Sequence, residues 1–301
     1  MTQIEVTFLG TTAAIPTKRR NHSSIHLKYR SENEWNYLWD CGEGTQRQML
    51  SSDVNFMKIN DIFITHWHAD HFAGLFGLLE TMGLEGRTEP LRIFAPEAKK
   101  FVKMIKNLGY SSTGFKVIPK NVKYQGKPKT VLEEEEFEIK SFPVVHGVPA
   151  VGFAFVEKDR LKIDKKRAEK KGLPKQGKIY KKIKNEGSAV YKDKKIKLED
   201  ISKTEKGKLV VYSGDTRPSK NLVNIANGAD LLIHDCTYFE DYERKHTTFK
   251  EILKVVSETD PKKTVLTHIS RRYQNMSELK KHLKQYKKIQ IAKDFKKVMV
   301  S

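Results

Sequence analysis

Thr65-His66-Trp67-His68-Ala69-Asp70-His71 sets four metal-competent side chains within six residues, directly after the apolar run Ile62-Phe63-Ile64, which reads as a buried strand. Imidazole and carboxylate are groups that zinc and similar divalent ions accept as ligands. Packing alone offers no reason for such a density at a strand's end. His66 and His68, two apart, can converge on one ion where a strand gives way to a loop. Asp70 and His71 point elsewhere and can hold a second ion beside the first. A two-metal site suits phosphoryl or acyl hydrolysis. Loop histidines with a nearby acid are the bland alternative, and the Asp-His pair that follows at once argues against it.

Two ions need more ligands than this motif supplies, and each candidate closes an apolar strand. His146 follows Phe142-Pro143-Val144-Val145, Asp215 follows Val210-Val211-Tyr212-Ser213-Gly214, and His268 follows Val265-Leu266-Thr267. Taken singly, each reads as an ordinary turn cap. Three polar residues closing three strands that a core sheet can bring to a common edge are less ordinary.

The chain has 301 residues, 38% of them hydrophobic, enough for a substantial core in one large domain or one domain with an insertion. No apolar run approaches the length that crosses a bilayer, and the opening Met1-Thr2-Gln3-Ile4-Glu5 does not read as a signal peptide. Cys41 and Cys236 lie far apart, so neither a disulfide framework nor a cysteine zinc knuckle is expected. A reduced, cytoplasmic compartment follows as the default.

Short strands alternate with helical patterns through most of the chain, an α/β class. Expected elements include a helix over Asp70 to Met82, another starting at Pro96, and a C-terminal helix near Met276 to Gln285. Between strands, Glu157 to Lys208 carries 20 Lys/Arg against 9 Asp/Glu, a net +11 out of a total of +20. It has few large apolar residues and no sustained periodicity, so it reads as a basic projection without a compact core of its own. Charge concentrated in this way attracts a polyanion, and nucleic acid is the commonest one. The expected domains are therefore 1–156 with 209–301, interrupted by 157–208.

Further motifs carry a resemblance. Phe8-Leu9-Gly10-Thr11, Pro16-Thr17-Lys18-Arg19-Arg20-Asn21 and Asp40-Cys41-Gly42-Glu43-Gly44-Thr45-Gln46-Arg47-Gln48 precede the histidine motif. Ser213-Gly214-Asp215-Thr216-Arg217-Pro218, His246-Thr247-Thr248 and Leu266-Thr267-His268-Ile269-Ser270 follow it. Together, along essentially the whole chain, they resemble the ribonuclease Z family of tRNA 3′-end-processing endonucleases, within the metallo-β-lactamase superfamily. The resemblance implies an αββα sandwich with an inserted basic flexible arm that grips tRNA. It implies two zinc ions per subunit, with Mn²⁺ or another divalent ion as an alternative. His66, His68 and His146 would bind one; Asp70, His71 and His268 the other; Asp215 would bridge them.

By the same resemblance the reaction removes the 3′ trailer from precursor tRNA and leaves a 3′-hydroxyl, in a homodimer. His246 is the expected proton donor to the leaving oxygen, since imidazole titrates near neutral pH, and Asp70 steers the attacking water. Lys18, Arg19, Arg20 and Asn21 are expected to meet the acceptor end, and Lys175, Lys178, Lys181 and Lys182 to serve the arm. Two departures stand out. Asp235 replaces the family's usual glutamate, and Lys178 stands where the arm's second proline is expected. Within the superfamily, a small-phosphodiester hydrolase or a thioester hydrolase of the glyoxalase II kind would use nearly the same ligands. A non-catalytic RNA-binding clamp is the reading from another class.

Overall fold

Strands buried along most of their length supply two sheets whose inner faces share one core. In chain order the strands of the computed structural model are β1 (Gln3–Gly10), β2 (Ser24–Arg30), β3 (Glu34–Trp39), β4 (Asp61–Phe63), β5 (Leu91–Ala95), β6 (Val117–Asn121), β7 (Lys129–Glu133), β8 (Phe137–Pro143) and β9 (Val151–Glu157). There follow β10 (Arg160–Ile163), β11 (Ser188–Tyr191), β12 (Lys194–Lys197), β13 (Ser202–Glu205), β14 (Leu209–Tyr212), β15 (Leu231–Asp235), β16 (Thr264–Thr267), β17 (Ile289–Ile291) and β18 (Lys297–Val300). The structure describes residues 2–108, 114–240, 246–273, 279 and 283–300. Contacts divide it into two units, Met1–Val156 with Leu209–Ser301, and Glu157–Lys208.

In the larger unit one sheet runs β18-β1-β2-β3-β4-β5-β6 and the other β17-β16-β15-β14-β9-β8-β7. Period-two alternation sends Val6, Phe8, Leu27, Tyr37 and Trp39 of the first sheet into the same cluster as Phe137, Phe153, Val210 and Ile233 of the second. The opposite faces are covered by helices. Leu38 and Ile62 pack with α1 (Thr45–Leu50), α3 (Leu75–Leu84) and α4 (Ala98–Lys106). Val211 and Leu232 pack with α8 (Lys220–Ala226) and α9 (Phe249–Thr259). The layers are therefore helix, sheet, sheet, helix: the metallo-β-lactamase αββα sandwich.

Local departures from the sequence reading have identifiable causes. The helix expected over Asp70 to Met82 is two, α2 (Ala69–Phe72) and α3, parted at Gly74. A side chain at Gly74 would collide with the Gly42 carbonyl oxygen, so the chain turns there in close contact with the loop after β3. Pro96 does not open α4. Its carbonyl accepts from the Trp67 indole, and the helix begins after Glu97, whose φ is 49°. The edge strand β6 carries Pro119 and Lys120, which suit an edge but break the apolar pattern that would announce a strand. The expected C-terminal helix lies largely outside the described residues.

The smaller unit overturns one expectation outright, since Glu157–Lys208 has a core. Ala168, Leu173, Ile183, Ala189, Ile196 and Ile201 are buried together. They come from α5 (Lys165–Lys170), the turn after it, α6 (Lys178–Glu186), β11, β12 and α7 (Leu198–Ile201). Each small element contributes about one buried residue, so no run or period betrays the core in the sequence. β10 pairs with β13, closing the base of the unit. β11 and β12 form a hairpin whose turn residues Lys192 and Asp193 both have positive φ, the geometry of a two-residue hairpin loop.

Candidate metal centre

Five places in the chain deliver side chains to one rim of the sandwich, and strand ends account for four. After β4, Ile64 and Thr65 continue buried; His66 and His68 then occupy the loop, and His68 sits at the N-cap of α2, which carries Asp70 and His71. His146 follows β8, Asp215 follows β14, and His268 follows β16. Gly214, at φ 58°, lets Asp215 in; a side chain there would meet the Thr65 Cβ at 2.9 Å. His268 itself is left-handed, at φ 55°, a strained state for an imidazole-bearing residue.

The donor atoms converge. His66 Nε2 lies 2.9 Å from His68 Nδ1, and His146 Nε2 lies 3.2 Å from that same His68 nitrogen. His71 Nε2 stands 3.4 Å from His268 Nε2, and Asp70 Oδ2 stands 3.2 Å from His268 Nε2. Asp215 Oδ2 lies between the groups, 3.8 Å from His66 Nε2, 3.4 Å from His71 Nε2 and 3.3 Å from His268 Nε2. All seven sequence candidates are thus brought together, and two of the triads they form are His66/His68/His146 and Asp70/His71/His268.

Charge and burial suit cations. Burial holds His66, His68 and His146 below the ordinary imidazole pKa, which keeps them neutral with a lone pair to offer. Burial opposes ionisation of Asp70 and Asp215 as well, yet the histidines His71 and His268 hold both carboxyls well below the usual range. Asp215 Oδ1 is buried without a hydrogen-bond partner. An orphaned carboxylate oxygen is costly unless something positive meets it. The residues therefore fit divalent metal, and the fold family implies that it is used.

Supporting residues escaped the sequence reading as such. Asp40 Oδ2 accepts from His71 Nδ1 at 2.7 Å and from the Tyr212 hydroxyl at 2.7 Å, and Asp40 Oδ1 accepts from the Thr65 amide at 2.8 Å. Thr65 and Thr237 hydroxyls stand 3.0 and 2.9 Å from the Nδ1 atoms of His66 and His268. Such contacts fix which ring nitrogen faces the centre. Asp40 was findable, because it closes the apolar strand β3 just as Asp215 closes β14. Thr65 and Thr237 bear no signal of their own.

His246 lies beside the cluster, 22% exposed, with Nδ1 3.4 Å from Asp235 Oδ2 and 3.7 Å from Asp215 Oδ2. Burial works against its charging, but Asp235 and Asp215 outweigh that and raise its pKa. The shorter Asp235 side chain still faces His246.

The loop after β1 divides its basic residues. Lys18 and Arg19 are exposed. Arg20 turns inward and donates to the Thr11 hydroxyl at 2.6 Å and the Ala292 carbonyl at 2.9 Å, while the Asn21 side-chain amide donates to the Glu43 carbonyl. These two brace the loop, and from it the Ala14 N–H reaches Asp70 Oδ2 at 2.9 Å. In the smaller unit Lys175, Lys178, Lys181 and Lys182 are all exposed. Lys178, Lys181 and Lys182 fall on one face of α6.

Known proteins share this architecture. A family model described as a beta-lactamase superfamily domain matches residues 201–269, and one described as the anti-Pycsar protein Apyc1 matches residues 4–109. Ribonuclease Z from Archaeoglobus fulgidus is 37% identical, covering 99% of this chain and 98% of its own. Ribonuclease Z from Methanothermobacter thermautotrophicus is 39% identical over 90% of this chain and 88% of its own. Among solved structures, the short form of human tRNase Z superposes with a TM-score of 0.70 at 26% identity, over 99% of each chain. Identity of this level along nearly the full length, on this fold, means that the chain belongs to the ribonuclease Z family.

Proposed function

We propose that this chain is a metal-dependent endonuclease that cuts the 3′ trailer from precursor tRNA and leaves a 3′-hydroxyl on the tRNA. The observation that carries the reading is the convergence of seven donors, in a chain whose full-length relatives are ribonuclease Z. Two zinc ions per subunit would be held by His66, His68 and His146, by Asp70, His71 and His268, and by Asp215 between them. When bound, a pair of divalent ions activates water near neutral pH and offsets charge gathering on the phosphate oxygens.

The chain's own groups do the rest. Asp70, fixed through the Ala14 N–H, orients the attacking water. His246, its Nδ1 turned toward Asp235, presents its other nitrogen to the ribose 3′-oxygen and gives it a proton as the P–O bond breaks. Water's oxygen goes to phosphorus, so the trailer leaves with a 5′-phosphate and the tRNA with its hydroxyl. Lys18 and Arg19 meet acceptor-end phosphates. Lys175, Lys178, Lys181 and Lys182 hold RNA phosphates, a contact that positions without reading sequence. A homodimer working in the cytoplasm is the setting this reading favours. Among the described residues no helix is long and apolar enough to cross a membrane.

The test is incubation of the purified protein with a 3′-extended precursor tRNA, with and without chelator, and mapping of both new ends. Chelator-sensitive cleavage at the end of the acceptor stem is expected. Intact precursor in the presence of added zinc or manganese overturns the reading.

A further inference from the structure

An open cavity of about 440 Å³ is lined by Val145, Arg217, Pro218, Glu251 and Lys254, residues joined to the candidate metal centre through the chain. Its volume falls in the range of small-ligand sites, roughly 300–1,000 Å³. Three of its walls are continuous with the centre. Val145 precedes His146, and Arg217 follows Asp215 by two residues. The helix α9, bearing Glu251 and Lys254, begins three residues after His246. A two-residue bridge locks the first two walls together: the Arg217 amide donates to the Val145 carbonyl at 2.9 Å, and the Val145 amide to the Thr216 hydroxyl at 3.2 Å. The Thr247 hydroxyl donates to the Thr216 carbonyl and ties α9 to the same point.

The lining is of two kinds. Val145 is 52% exposed, unusual for a valine beside a buried cluster, and with Pro218 it supplies the apolar part of the lining. Arg217 and Lys254 add positive charge to it. Arg217 rests 3.3 Å from Glu251 Oε1, with its side chain half exposed, a pair worth little in solvent. Glu251 is also held from its other oxygen, since Oε2 accepts from the Thr248 amide and hydroxyl in the cap of α9. Arg217 can therefore exchange Glu251 for a phosphate without stranding the glutamate.

We infer that this cavity is the subsite for the nucleotide that carries the departing 3′-oxygen. Its base lies on Val145 and Pro218, and its own 5′-phosphate meets Arg217 and Lys254. The inference rests on the function proposed above, because the α9 side is the tRNA side only if His246 serves the leaving oxygen.

The experiment compares two competitive inhibitors of precursor cleavage: trimmed tRNA ending in a 3′-hydroxyl, and a trailer oligonucleotide with a 5′-phosphate. In Arg217→Gln and in Lys254→Gln, inhibition by the trimmed tRNA should weaken by about tenfold relative to inhibition by the trailer, the scale of one charge-assisted hydrogen bond. Metal content, read by atomic absorption, should equal that of the wild type. An equal loss against both inhibitors, a loss confined to the trailer, or loss of metal overturns the subsite. Failure of the wild type to cut precursor strikes the parent proposal instead, so the two failures are separable.

Discussion

The metal centre and the inserted unit are both built from charge, and they handle it in opposite ways. The centre gathers seven ionisable groups from five places in the chain and buries most of them, with the donor atoms of each candidate group within 4.8 Å of one another. The insert takes one unbroken stretch, Glu157–Lys208, spreads a net +11 over its surface, and hides only a handful of small aliphatic residues. Buried charge is specific and vulnerable to a single change. Exposed charge is redundant, and acts through number and salt-sensitive attraction. The contrast predicts that single substitutions cripple the first region, whereas the second yields only to wholesale removal.

The sharpest break should come from Asp215→Ala. Asp215 faces His66, His71 and His268 from one carboxylate, so its loss removes the group common to both halves of the cluster. Cleavage of precursor tRNA should fall by at least about a thousandfold, several kcal/mol of transition-state stabilisation, with tRNA binding retained. Initial rates and a filter-binding assay measure the two. A variant cutting within tenfold of wild type would remove Asp215 from the centre.

A smaller effect is expected from excising the insert. Ile163 pairs with Ser202 at the inner end of the β10/β13 ladder, so Asp164–Ile201 can be replaced by Asn-Gly to close a two-residue hairpin. The apparent affinity for precursor should drop by roughly ten- to a hundredfold, and the slope of log affinity against log salt should flatten, as when several phosphate contacts disappear. Titration of fluorescent precursor at stepped salt reads both. An unchanged slope would show that the insert's lysines are not what holds the RNA.

How far each region was legible follows from the same contrast. Donor chemistry is written in residue type, and a strand that ends in His or Asp announces where it will be delivered; hence the convergence of His146, Asp215 and His268 on the compact His66–His71 motif could be anticipated. What the sequence hid were partners without chemistry of their own. Thr65 and Thr237 matter only because a ring nitrogen stands about 3 Å away. The insert was legible in charge and opaque in fold, since Leu173 lies in a turn, Ile183 and Ile196 sit on separate short elements, and together they make no periodic pattern. Arg20 illustrates a third limit. Its neighbours Lys18 and Arg19 face solvent, and nothing in a run of three basic residues says that the last one turns inward to Thr11 and Ala292.

The smallest expected effect sets a half-buried carboxyl, hemmed in by its neighbours, against one at the surface of the insert. Asp294 accepts from the Thr11 hydroxyl, the Asn21 amide and the Gln48 side chain, and Arg20 faces it; even so, burial pushes its pKa up to about 6. Glu205, at the surface of the insert, is pulled down to about 2 by hydrogen bonds and ion pairing with Lys162 and Arg160. The raised acid holds its proton longer when folded, so its contribution to stability is full below about pH 4 and is lost as pH rises through 6. The lowered acid contributes above about pH 4.5 and loses that as pH falls toward 2. Urea unfolding at pH 4.5 and 6.5 should therefore show the stability gap between wild type and Asp294→Asn moving toward the variant by on the order of 1–2 kcal/mol. Glu205→Gln, compared with wild type between pH 5 and pH 3, should move the opposite way with rising pH and by no more than about 0.5 kcal/mol, because solvent screens an exposed pair. A gap for Asp294→Asn that stays level across that interval would mean its three donors and Arg20 fully offset the cost of burial, and the contrast between the two regions would then hold for the metal centre alone.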